Sequence, residues 1–96
     1  MIHLNVLLTV NDPENVDKVR ELLTECCRLS RAEPGCARFE VYHSNNDATR
    51  FVLNEHWESP EALDGHRQAK AYTEYYQPQV LPLVTREPHP STLLEP

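Results

Sequence analysis

Residues 2–10, Ile-His-Leu-Asn-Val-Leu-Leu-Thr-Val, alternate side by side with a period of two, the mark of a strand. Ile2, Leu4, Val6, Leu8 and Val10 form one face; His3, Asn5, Leu7 and Thr9 form the other. Both rows hold apolar residues, so both faces are expected to be covered. The period then changes. Asn11-Asp12-Pro13-Glu14 supplies a cap, a proline and an acid in the order that starts a helix. Val16, Val19, Leu22, Leu23, Cys26, Cys27 and Leu29 recur at helical spacing, and Glu33-Pro34-Gly35 ends the run. Residues 37–43 alternate again, with Ala37, Phe39, Val41 and His43 on one face. Ser44-Asn45-Asn46-Asp47-Ala48 is a connection rich in turn formers, and residues 51–57 are the returning strand. Ser59-Pro60-Glu61 opens a second helix over 59–66, and Ala69, Tyr72, Tyr76 and Val80 continue it, with Gly65 as the expected break. Leu83–Arg86 opens a last strand, and the proline-rich stretch 88–96 predicts an edge strand or an extended arm.

The order strand, helix, strand, strand, helix, strand is that of an α+β ferredoxin-like βαββαβ fold with an antiparallel sheet. One domain covers residues 1–96, with a C-terminal arm from about 86 to 96. Helices can cover only one sheet face. A homodimer that packs two sheets face to face would cover the other and close a dimeric α+β barrel.

Composition narrows the partners. A net charge of −6, with basic residues dispersed among acids, argues against a nucleic-acid partner, which needs clustered Lys and Arg. No apolar run approaches the roughly 20 residues of a membrane span, and no signal peptide is visible, so no membrane partner and a cytoplasmic location are expected. The three cysteines, with Cys26 and Cys27 adjacent, lack framework spacing and read as reduced thiols. No Cys-x-x-Cys or His-x-x-x-His pair suggests a metal site.

The stretch Phe51–His66 delivers a carboxylate, an indole and an imidazole from adjoining elements towards one region. Strand parity and helical spacing are expected to bring Asn5, Glu55, Trp57, His66 and Tyr72 together on the helix-covered face, with His43 joining from the second strand. Asn5 is a polar misfit in mid-strand, either bonded internally or a hook for a ligand. Trp57 reads most simply as a core aromatic, and otherwise as the wall of a pocket. His66 stands apart because imidazole exchanges protons near neutral pH.

Glu33-Pro-Gly-Cys-Ala-Arg-Phe-Glu-Val, Phe51-Val-Leu-Asn-Glu-His-Trp-Glu-Ser-Pro-Glu-Ala-Leu and His66 together resemble the antibiotic biosynthesis monooxygenase family, the dimeric α+β barrels, over about residues 2–84. The resemblance implies a cofactor-independent monooxygenase that oxidises a small quinol- or phenol-like aromatic with O2. His66 would take the proton, and Asn5 and Tyr72 would position or donate. Trp57, Glu55, His43 and Phe39 would bind substrate. Other branches of the family isomerise a phosphorylated autoinducer sugar derivative or degrade haem. The haem branch has a Trp where His66 stands and its ligating His near Tyr76, and Ala71 replaces a second imidazole common in the family. A non-catalytic dimeric binding or sensing module remains the alternative, since one fold hosts many functions.

Overall fold

Strand β1 (Ile2–Val10) lies inside the sheet, paired antiparallel to β3 (Arg50–Trp57) on one side and to β4 (Val84–Ser91) on the other. The hairpin partner β2 (Cys36–His43) pairs with β3, so the strand order is β2-β3-β1-β4. This is the expected ferredoxin-like arrangement, seen in a computed structural model that describes residues 1–95. Helix α1 (Val16–Ser30) and α2 (Pro60–His66), with a π-helix over Ala71–Val80, cover one face.

Parity decides which face each strand residue joins. Leu4, Val6, Leu8 and Val10 are buried beneath the helices with Phe51, Leu53, Glu55 and Trp57 opposite them. Asn5 therefore falls on the open face, contrary to the placement expected from sequence. There it accepts from Asn54 Nδ2 at 2.7 Å and donates to Ser91 Oγ at 3.0 Å. The reason is elementary: a residue one step from Leu4 points the other way, and Leu4 is core.

α1 begins through a short 3₁₀ turn, Pro13–Asn15, capped by Asp12, whose Oδ1 accepts from Glu14 N at 3.0 Å. It ends at Ser30, three residues before the Glu33-Pro34-Gly35 stop. The intervening turn is held by Ala32 N to Leu29 O and Glu33 N to Ser30 O, at 3.2 and 3.1 Å. Gly35, at φ +78°, sits against α2: a side chain there would collide with Ala62 Cβ. Glycine is required twice over, for the backbone angle and for the space.

α2 is capped by Ser59 Oγ, which accepts from Ala62 N at 3.1 Å. It runs through Gly65, and the break falls just after it, in the turn that follows His66. The helix beyond is wider than α, closing on Leu81 N to Tyr76 O, an i to i−5 bond. Its buried residues, Ala71, Tyr76 and Val80, recur at intervals of five and four. Pro78 stands inside it without an N–H, and Gln79 Nε2 donates to Glu74 O at 2.8 Å, serving a carbonyl near the gap.

Both sheet edges are protected. The Phe39 carbonyl on β2 accepts from Arg31 Nε at 2.9 Å and from Cys27 Sγ at 3.3 Å. On β4, Pro88 and Pro90 share one parity, so both missing donors fall on the same, outer side of the strand. Of the two readings for this stretch, an edge strand or an arm, the edge strand holds as far as Ser91; Leu93 and Leu94 beyond it are exposed, and Pro96 lies outside the described residues.

Candidate active site

Between α1, the sheet, α2 and the π-helix lies a small cavity, part of it open to solvent. Its wall includes Phe39, Glu55, His66, Tyr72, Tyr76 and Arg86. His66 is placed by the last turn of α2 and is almost fully buried. Its Nδ1 lies 2.6 Å from Glu33 Oε1, which the short turn after α1 brings across to it.

Burial pushes the Glu33 carboxyl up to about 7. It pushes the His66 imidazole down, against an opposing pull from Glu55. Groups this close titrate as a unit. Below about 7 the pair holds one proton between its two members; above, a Glu33 carboxylate faces a neutral imidazole. In that state Nδ1–H donates to Glu33, which fixes the tautomer and leaves Nε2 with its lone pair free. Among the described residues Nε2 has no hydrogen bond.

Glu55 reaches the same cavity from β3. Burial raises its pKa, while the Trp57 indole, donating at 3.0 Å, lowers it. On the far wall Arg86 Nε donates to the Tyr76 hydroxyl at 3.1 Å. Burial holds the Tyr76 phenol up at about 12, so it stays a proton donor at neutral pH. Tyr72 meets His66 edge-on, ring centroids 5.9 Å apart.

Of the residues singled out in the sequence, Phe39, Glu55, His66 and Tyr72 are brought together. Trp57 is fully buried behind His66, centroids 4.5 Å apart, and is core instead of cavity wall. His43 shares the helix-covered face but lies at the other end of β2, four residues or about 13 Å along the strand from Phe39. It stacks on Phe51 at 4.2 Å and bonds Ala48 O at 2.7 Å. Asn5 is on the opposite face.

Three polar cavity residues, Ser30, Tyr76 and Arg86, escape the sequence reading, and so does Glu33, the partner of His66. Ser30 had a signal, because it extends the buried row Val19, Leu23, Cys26 by one more step of four. Glu33 reads from sequence only as part of a helix stop. Burial raises Cys26 to about 12 and Cys36 to about 11, which suits packing and not nucleophilic duty. Among the described residues no three His, Cys, Asp or Glu side chains are grouped to hold a metal ion. Among the described residues no helix is long and apolar enough to cross a membrane.

Fold and site together define a class: an α+β domain with a carboxylate–imidazole pair, Glu33 and His66, whose imidazole stands in the wall of a half-polar cavity. Residues 1–78 match the family profile described as Antibiotic biosynthesis monooxygenase. Rv0793 of Mycobacterium tuberculosis, a candidate monooxygenase, is 38% identical over 84 residues, 88% of this chain and 80% of its own length. The chain belongs to the antibiotic biosynthesis monooxygenase family. A crystal structure from Bacteroides thetaiotaomicron, a possible oxidoreductase, superposes with TM-score 0.86 at 25% identity, covering 96% of each chain. An antibiotic biosynthesis monooxygenase structure superposes with TM-score 0.88 at 23% identity over 98% of this chain and 99% of its own, a likeness of fold.

Proposed function

We propose that the protein is a cofactor-independent monooxygenase acting on a small quinol- or phenol-like aromatic. The observation that carries this reading is the Glu33–His66 pair, 2.6 Å apart, whose imidazole stands in the wall of a partly open cavity. His66 Nε2 removes a ring hydroxyl proton, and Glu33 stabilises the imidazolium that forms. The resulting anion is electron-rich enough to react with O2. For a hydroquinone, one oxygen atom bonds to a ring carbon and the other leaves as water. The ring supplies all four electrons and becomes a hydroxyquinone. Tyr76, steadied by Arg86, and Tyr72 are the donors available to developing negative charge. Phe39 and the two tyrosines form the aromatic wall. Glu55 in the same wall offsets part of the charge of Arg67 and Arg86.

The working unit in this reading is a homodimer in the cytoplasm. The centre of the open sheet face carries neutral residues, His3, Asn5, Leu7, Val52, Asn54 and His56, and leaves Leu7 39% and Tyr42 52% exposed. Charged Arg38, Glu40 and Glu87 stand on the outer strands, the layout of an interface core and rim.

Oxygen uptake with a panel of hydroquinones, without added flavin or metal, tests the activity. Wild type should consume oxygen with at least one, and His66→Ala should lower turnover by roughly 10²–10⁴. No uptake with any of them would remove the monooxygenase reading.

A further inference from the structure

Ser30 is the last residue of α1, and its side chain is 0% exposed. It lines the cavity beside Phe39, Glu55, His66 and Tyr72. Its Oγ is the one buried side-chain nitrogen or oxygen among the described residues that has no hydrogen-bond partner. A helical serine or threonine commonly returns its hydroxyl to the carbonyl four residues back. Thr24 on the same helix does so, donating to Arg20 O at 2.8 Å. Ser30 does not, although a buried hydroxyl without a partner costs stability. The neighbouring polar groups are already engaged: Glu55 with Trp57, His66 Nδ1 with Glu33, Tyr76 with Arg86. The position continues a row of apolar core residues, where alanine would fit at no such cost. A hydroxyl orphaned in a cavity wall is free to bond what enters the cavity.

Resting on the aromatic-substrate reading of this cavity, we infer that Ser30 is a substrate-positioning residue whose hydroxyl bonds one oxygen substituent of the ring while His66 meets another. The ligand class is then an aromatic with at least two oxygens, a diol or a hydroxy-carbonyl compound, and not a monophenol. A hydroxyl both donates and accepts. Ser30 can therefore accept from a ring hydroxyl before oxidation and donate to the carbonyl that replaces it afterwards. A carboxylate or a guanidinium in its place could serve only one of the two.

The test compares phenol, resorcinol and hydroquinone as probes of the full chain under anaerobic conditions. Binding is read from the fluorescence of Trp57, the single tryptophan, behind His66. Wild type should bind the better diol about tenfold more tightly than phenol, the discrimination one good hydrogen bond supplies. Ser30→Ala should erase that margin, leave phenol affinity within about twofold, and keep the ligand-free Tm level or raise it. A variant that retains the margin, with aromatic binding intact, overturns the role of Ser30 alone. So does a variant that loses stability or fails to fold, because the hydroxyl is then structural. If wild type binds none of the three probes, the aromatic reading itself fails and this inference falls with it.

Discussion

At the scale of single residues, the paired shifts of Glu33 and His66 make a pH prediction with a definite sign. The base-competent state, carboxylate beside neutral imidazole, forms as pH rises through about 7. Turnover should climb through that range, and a flat profile from pH 5 to 9 would exclude the pair as the base. Glu33→Gln should lower turnover and move or abolish the climb. Its effect on stability runs the other way. The Glu33 pKa is raised on folding from 4.5 to about 7, so its contribution is fully present below 4.5 and is lost as pH rises to about 7. His66, lowered on folding, opposes this below its ordinary pKa, so the comparison of wild type with Glu33→Gln isolates the carboxylate. Gln should therefore gain stability relative to wild type on the order of 1 kcal/mol by pH 8, and little at pH 4. Denaturant melts at the two pH values measure it. The thiols make a negative prediction: Cys36→Ser should leave turnover within a few fold, and complete loss with the fold intact would make Cys36 the nucleophile.

Elements decide which residues meet, and the two glycines show how. Gly35 holds a positive φ against Ala62 on the turn that carries Glu33. Gly35→Ala should cost about 2–4 kcal/mol from backbone strain and overpacking together. It should also lower turnover, because the turn that aims Glu33 must shift. Gly65 lies within α2 with nothing near its missing Cβ. Gly65→Ala should stabilise by about 0.5–1 kcal/mol. Urea unfolding of the two variants checks both signs, and equal effects would refute the assignment of the turn. The strands, α1 and the Ser59 cap were legible because each rests on local periodicity and capping chemistry. The widened helix over Ala71–Val80 was legible only as a helix. In sequence Ala69, Tyr72, Tyr76 and Val80 recur at ordinary helical spacing, whereas the buried residues are Ala71, Tyr76 and Val80, at intervals of five and four, with Pro78 inside the helix.

The whole molecule carries the proposed dimer and the comparison of sequence with structure. Light scattering at micromolar concentration should give twice the 11.1 kDa chain mass. Leu7→Asp, at the centre of the open face, should return a folded monomer, since an unpaired charge in a desolvated interface is costly. A monomeric wild type would remove the barrel assembly. Deleting residues 92–96 tests the arm without cutting β4, which pairs with β1 as far as Ser91. Pattern alone determined the βαββαβ order, the antiparallel hairpin of β2 and β3, and the presence of Glu55, His66 and Tyr72 on elements that converge. These follow from periods of two and 3.6, which are properties of neighbouring residues. Only the tertiary structure decided that Asn5 turns away from the site, that Trp57 takes its core reading over the wall of a pocket, that His43 lies at the wrong end, that Glu33 meets His66 and that Ser30 lines the cavity. Glu33 and His66 are far apart in sequence, and their meeting depends on how a turn after α1 lies against the end of α2. Whether a buried serine finds a partner depends on every side chain around it. Such facts belong to the packed chain, and no local pattern encodes them.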